Sequence, residues 1–199
     1  MGFYSPHTLV GDARRHGVEV LTPDINKSGA KATLEWVGDE PDDPAFRQGA
    51  GVPHGQWGAG GPAVRLGLGS VRHVGEQLAT QLDVGRPWKS IEDVKRRTSC
   101  SIEVLEALAT AGAFGDRRSA LWEAGAAAQA SNTRLPGIIT GADAPQLPGM
   151  TDREIALANL WATGVAPDGH PTRYRRNDLE NFGVLRSDEL CKQLSLIHI

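Results

Sequence analysis

Two cysteines, Cys100 and Cys191, are all that the 199 residues contain, and they stand far apart without CxxC spacing. Such scarcity gives no disulfide framework and reads as two thiols in a reducing cytoplasm. The six histidines (His7, His16, His54, His73, His170 and His198) form no HxxxH or HExxH pair, so no metal site is readable. No apolar run approaches the length of a membrane span. The start lacks a charged-then-apolar signal segment, and Pro6 stands where a myristoylation pattern needs Ser or Thr. A soluble, cytoplasmic chain with no membrane partner is expected. An excess of positive charge is missing too: the formal net charge is −3. Only residues 64–118 are net positive, with 9 Lys/Arg against 7 Asp/Glu, a balance that a solvated surface also gives.

What is present is ordinary for a packed protein. The hydrophobic fraction of 40% supports a core in one domain or two small ones. Ser5-Pro6 starts a helix that runs to His16 and stops at Gly17. Residues 18–21 and 30–37 read as short strands, the second with Ala32, Leu34 and Trp36 on one face, and 63–66 as a third. Between the first two lies turn chemistry, Pro23-Asp24-Ile25-Asn26-Lys27-Ser28. Residues 38–62 form a Gly/Pro/Asp-rich loop. Neither its Gly-rich end nor Gly67-Leu68-Gly69 completes a phosphate-binding fingerprint, since GK[ST] is absent and Arg72 replaces the needed glycine.

Downstream the pattern is helical. Ser90 to Asp93 and Thr151 to Glu154 have the form of capping boxes, the first with Asp in place of Glu or Gln. Gly112 ends a helix that includes residues 107–111. An Ala-rich helix follows over about 117–130, then a Pro/Gly linker over 131–149, a helix over 152–162, and another opened by Pro171 and stopped at Gly183.

Residues 67–114 are the informative stretch, two short helix pairs each joined by a tight turn. Val71, Val74, Leu78 and Leu82 fall on one side in the first pair. The second runs from Ile91 through Thr98-Ser99-Cys100 into residues 102–108. This resembles a tandem helix-hairpin-helix. Such a turn leaves backbone N–H groups unpaired at the start of its second helix, where the macrodipole also favours negative charge. A phosphate oxygen can accept there, and glycine matters because a Cβ would hold the nucleic-acid backbone away. The turn residues are Arg72, His73, Val74 and Gly75 in the first hairpin, and Ser99 and Ser101 in the second. Lys89, Lys95, Arg96 and Arg97 join Arg72 as sources of longer-range attraction and counterion release. Two features weaken the first turn: His73 replaces the usual first glycine, and Glu76 puts a carboxylate near the phosphate position. Packing of two amphipathic helix pairs on neighbours, without DNA, remains a second reading.

Several separated motifs share one order: Pro23-Asp24-Ile25-Asn26-x-Ser28, Val64-Arg65-Leu66-Gly67-Leu68, Val71-x-x-Val74-Gly75, Trp88-x-Ser90-x-Glu92-Asp93 and Leu105-x-x-Leu108-x-x-x-Gly112-Ala113-Phe114. From the first residue to about 190 the chain resembles the alpha subunit of bacterial DNA polymerase III, a C-family DNA polymerase. Leu135-Pro136-Gly137, Pro145-x-Leu147-Pro148-Gly149-Met150 and Trp161 to Pro171 are similar to the error-prone paralogue of that family. The resemblance implies a segment that joins the end of the fingers to the tandem hairpins. It further implies a DNA-directed DNA polymerase for translesion synthesis after damage, assisted by accessory mutagenesis proteins. Metal-binding palm aspartates using Mg²⁺ would lie upstream, and an oligonucleotide-binding barrel beyond residue 190. The chain itself is then expected to hold no catalytic residue, metal or cofactor, and to be inactive alone. The tail from 191 to 199 does not resemble the family, and a truncated reading frame with an internal starting methionine is expected. A segment of the replicative subunit and a stand-alone hairpin adaptor are the alternatives.

The expected fold is mainly α with a small N-terminal β element around a tandem helix-hairpin-helix core. Its parts are the end of the fingers with a Gly/Pro-rich loop (1–62), the duplex-DNA-binding hairpin unit (63–118), an Ala-rich helix with a linker (119–150), a helical lead-in to the barrel (151–190) and the tail (191–199).

Overall fold

A computed structural model describes residues 4–37, 55, 57–98, 100–127, 144–185 and 189–190. The chain is mainly α with one small sheet. In order it forms α1 (Pro6–Arg15), β1 (Val20–Leu21), β2 (Thr33–Glu35), β3 (Ala63–Arg65), a 3-10 turn (Leu68–Ser70), α2 (Glu76–Val84), α3 (Ile91–Thr98), α4 (Ile102–Ala111), α5 (Arg117–Ala127), α6 (Asp152–Thr163), a second 3-10 turn (Pro171–Arg175) and α7 (Arg176–Asn181). Most of the Gly-rich loop, most of the linker, Ser99 and the whole tail (191–199) lie outside the described residues.

Local chemistry explains several helix ends. Ser5 accepts from the Thr8 N–H at 3.2 Å, with Pro6 at the first helical position. Thr151 and Glu154 complete a reciprocal capping box, Glu154 N–H to Thr151 Oγ1 at 3.3 Å and Thr151 N–H to Glu154 Oε2 at 2.8 Å. Asp93 N–H donates to Ser90 Oγ at 3.1 Å, but the Asp93 carboxylate reaches one residue further back, to the Lys89 N–H at 3.2 Å. Helices α4 and α6 end at left-handed Gly112 and Gly164.

The first hairpin departs from the expected pair of helices. Its leading helix is only the 3-10 turn Leu68–Ser70, and residues 71–75 are non-helical. Val71, Val74 and Leu82 are still buried together, with Leu78 packed against them. Gly67 explains the tight lead-in: an added Cβ would lie 2.4 Å from the Lys31 carbonyl carbon, so only glycine lets these segments touch.

In the sheet, β3 lies centrally, parallel to β1 and antiparallel to β2. The expected strand over 30–37 shrinks to Thr33–Glu35, and its supposed apolar face is not a core face, since Leu34 is 69% exposed. The register gives the reason. Val20, Val64 and Leu34 are successive cross-strand partners and share one face. Val10 of α1 and Val165 cover Val20 and Val64, and that cover stops short of Leu34. The opposite face is held by charge: Arg65 pairs with Glu35 and donates through Nη1 to Thr22 O at 2.8 Å.

One apolar core unites the hairpins with elements on both sides. It contains Leu68, Leu82, Trp88, Ile91, Val94, Leu105 and Leu108, extends N-terminally to Ile25, and continues into Ala120, Ala124, Ala127 and Ala162. The Asp24–Ser28 turn is its clasp. The Asn26 side-chain amide donates to Trp88 O at 2.9 Å and accepts from Trp88 N–H at 2.7 Å, as a neighbouring strand would. Ser28 Oγ accepts from the Asp24 N–H at 3.0 Å and donates to Leu66 O at 2.8 Å.

Two outcomes follow. N26A removes both partners of the Trp88 backbone and should cost about 2–3 kcal/mol in urea unfolding, at about 1 kcal/mol per bond plus the penalty of unpaired groups. The hydrogen bond and charge of Arg65 hold the Glu35 carboxyl below its ordinary value, against the opposing pull of burial. A depressed folded-state pKa stabilises the fold above the unfolded value and loses that contribution as pH falls through the folded one. Urea midpoints measured downward from pH 5 should therefore fall less steeply in E35Q than in the native chain.

Candidate nucleic-acid interface

Both hairpins deliver the start of a helix to the surface. Gly75 is the N-cap of α2, and Ser101 that of α4, and neither helix start receives a side-chain capping bond from its N-cap residue. The first-turn N–H groups have no acceptor one turn back, and Gly75, Glu76, Gln77, Ser101 and Glu103 are exposed. His73 of the first turn lies near enough to Glu103 of the second to act on its carboxyl electrostatically.

The first turn reverses the usual roles of its residues. His73 has φ +64°, the left-handed conformation that the first glycine of such a turn normally supplies. Gly75 has φ −73°, open to any residue, and a Cβ there meets no atom within 4 Å. The fold therefore gives no reason for glycine at 75, and the space before it is open. Inward-facing groups of this turn are occupied: Arg72 N–H donates to Ala162 O at 2.7 Å and Val74 N–H to Val71 O at 3.0 Å. The Arg72 guanidinium lies 4.8 Å from the Trp161 ring centroid, with Nε donating to Trp161 O at 3.1 Å.

The second turn is more self-contained. The Glu103 carboxyl is held below its ordinary value, first by the Ser101 hydroxyl, then by its own backbone N–H, with His73 and Lys95 adding attraction. A carboxylate of the chain itself thus sits where an incoming anion would bind. Lys95 Nζ donates to Cys100 O at 2.6 Å and steadies the turn. Arg96 pairs with Glu92 at 2.8 Å. Arg97 pairs with Asp93 at 3.2 Å, donates to Pro87 O and Gly85 O, and stacks 4.0 Å over the Trp88 ring. Lys89 is exposed and lines a cavity of about 420 Å³ with Asp24, Trp88 and Phe114.

The structure thus brings Arg72, His73, Val74 and Gly75 together, with Val74 in the core and the other three exposed, and sets Ser101 beside them. Ser99 lies outside the described residues. Lys95, Arg96 and Arg97 face partners within the chain. Sequence reading missed Arg117, which fastens the far end of α4 by donating to Thr110 O at 2.9 Å, Ala111 O at 3.3 Å and Asn159 Oδ1 at 2.7 Å. Its only sequence signal is a cation five residues beyond a C-capping glycine. Among the described residues no three His, Cys, Asp or Glu side chains converge on a metal position. No helix among the described residues is long and apolar enough to cross a membrane.

These paired turns belong to a known class, and the model of the helix-hairpin-helix motif matches residues 17–133, more than half of the chain. The chain belongs to that family. Among its relatives is the error-prone DNA polymerase of Mycolicibacterium paratuberculosis, 46% identical over 198 residues, which cover 96% of this chain and 16% of that protein. The error-prone DNA polymerases of Nocardia farcinica and Corynebacterium efficiens are 43% and 40% identical, over 96% and 98% of this chain. The chain spans about 16% of the length of these relatives. They bear out the resemblance to C-family polymerases and the choice of the error-prone paralogue.

The left-handed His73 generates a stability prediction. H73G should raise stability by about 0.5–1 kcal/mol, because glycine avoids the 1–2 kcal/mol left-handed penalty and gives back part of it as backbone entropy. A higher urea midpoint at unchanged slope is the expected reading.

Proposed function

We propose that this chain is the duplex-holding segment of an error-prone, DNA-directed DNA polymerase. The turns at Gly75 and Ser101 take backbone phosphates of the newly made double helix, and the hold is independent of base sequence because main-chain amides contact phosphate oxygens and not base edges. Gly75 carries the reading: a glycine that its own fold does not require, at an exposed helix start, is what close approach of a sugar-phosphate backbone requires. Arg72 and Lys89 are exposed and add attraction. Arg96 and Arg97 serve the fold first, and the stronger hold lies at the first turn.

In the parent enzyme the segment positions the duplex, while nucleotidyl transfer with Mg²⁺ takes place in a palm domain and an oligonucleotide-binding barrel follows. The relatives' name supports synthesis of low fidelity. Translesion synthesis after damage, in the cytoplasm and with accessory mutagenesis proteins, is the role that fits it.

Titration of the full chain with short duplexes tests this reading. Binding should be equal across unrelated sequences, with the logarithm of affinity falling by about 0.9 per phosphate contact for each logarithm of salt. G75L should weaken binding about 10-fold, the equivalent of one charge-assisted hydrogen bond of about 1.5 kcal/mol, with unchanged far-ultraviolet circular dichroism. E103Q, which removes the competing carboxylate, should tighten it about 2- to 5-fold at low salt. Absence of duplex binding at low salt, or unaltered binding by G75L, would overturn the proposal.

A further inference from the structure

Three arginines converge on one cavity away from the hairpins. Arg14, Gly169, His170, Thr172, Arg173 and Arg176 line an open cavity of about 480 Å³, and no carboxylate is among these lining residues. That volume is within the range of ligand pockets, about 300–1,000 Å³. The three guanidinium groups come from three elements: the last turn of α1, the second 3-10 turn, and the start of α7. Gly169 brings two of them to one point. At φ +120° it takes a conformation that side chains rarely adopt, and its Cβ position lies 3.0 Å from Arg173 Nη1 and 3.7 Å from Arg14 Nη1.

Like charges converge in this way at a cost unless an anion joins them. Within the chain their compensation is partial. Arg173 Nη1 donates to Asp168 O at 2.6 Å and Arg176 Nη1 to Val184 O at 3.4 Å, both neutral carbonyls. The Arg14 guanidinium makes no hydrogen bond or ion pair among the described residues. Asp168 and Glu19 line the adjoining cavity, which Arg14 shares with Arg117. His170 Nδ1 accepts from the Thr172 N–H at 3.3 Å and lies 2.9 Å from Thr172 Oγ1, an arrangement that leaves the ring proton on Nε2 as a donor. The His7 ring packs edge-on at 5.6 Å, and its buried Nδ1 has no partner among the described residues.

We infer that this cavity binds a phosphate group, with Arg14, Arg173 and Arg176 supplying the charge and His170 Nε2 a short-range donor. Planar guanidiniums match phosphate oxygens in pairs. The phosphate comes either from a nucleic-acid backbone, which rests on the duplex-holding reading, or from a free phosphate compound. The first source has a geometric basis: His170 stands eight positions after Ala162, whose carbonyl accepts from Arg72 of the first hairpin turn, so these two residues lie within about 28 Å.

Nuclear magnetic resonance of the full ¹⁵N-labelled chain, titrated separately with pyrophosphate and with a short duplex, decides it. The Gly169 and Thr172 amides should shift with pyrophosphate, and R14A/R176A should raise the midpoint at least 10-fold, with R14K/R176K recovering part of the loss. Should the double variant misfold, R14A alone carries the test, since Arg14 is exposed on α1. Shifts with both ligands assign the source to the nucleic-acid backbone, and shifts with pyrophosphate alone assign it to a free phosphate compound. In G75L the pyrophosphate shifts should persist at native size, which separates this site from the hairpins. No shift with either ligand, or equal midpoints in R14A/R176A, overturns the inference.

Discussion

Everything in the hairpin unit depends on the burial of α4. Val104, Leu105, Ala107, Leu108, Ala109 and Ala111 are all buried, so the helix has little side surface to present. Its alanines let α5 and α6 approach closely, and the buried alanines of α5 answer them. A helix enclosed in this way can act outward mainly through an end. Arg117 holds the C-terminal end, its guanidinium bonded to the last carbonyls at the negative pole of the dipole. The N-terminal end remains at the surface beside that of α2. Packing thus decides which pole of α4 faces out, and the polarity of the peptide groups decides what that pole attracts.

The two turns put the same backbone polarity to different use. In the first, the chain accepts a left-handed histidine and keeps a glycine where geometry allows any residue. In the second, Glu103 accepts from the Ser101 hydroxyl and from its own N–H and competes with an incoming anion. Positive charge nearby is divided in the same way. Arg97 braces the loop of Gly85 and Pro87 against Trp88, and Arg96 is tied to Glu92, so the basic run of α3 is largely framework. A net charge of −3 is no obstacle to such an interface, because contact at a few amides and local cations is a short-range matter at physiological salt.

The Asp24–Ser28 turn shows how a loop joins a sheet to a helical unit without a strand or a large apolar contact. Asn26 imitates a strand partner for Trp88, and Ser28 relays from Asp24 to Leu66. Only Ile25 enters the core from this turn. The clasp fixes the sheet against the start of α3, and with it the direction in which the first hairpin leaves β3.

Helix ends were legible in the amino-acid order because they are made by residues three or four apart: Ser5 with Thr8, Thr151 with Glu154, and glycines at 112 and 164 that alone take the left-handed form cheaply. The separated motifs likewise carried the family, and the apolar spacing of Val71, Val74, Leu78 and Leu82 located the hairpin core even though helix there begins only at Glu76. The length of β2 was not legible, since a strand lasts only as far as its neighbour and its cover, and Leu34 lacks the second. Nor were the partners of Arg72 and Arg117. Arg72 meets Trp161 across 89 residues, and Arg117 meets Asn159 across 42. Short-range bonding wrote the elements into the sequence, together with the local pairs of Arg96 with Glu92 and Arg97 with Asp93; where Arg72 and Arg117 are held was decided only when distant segments packed.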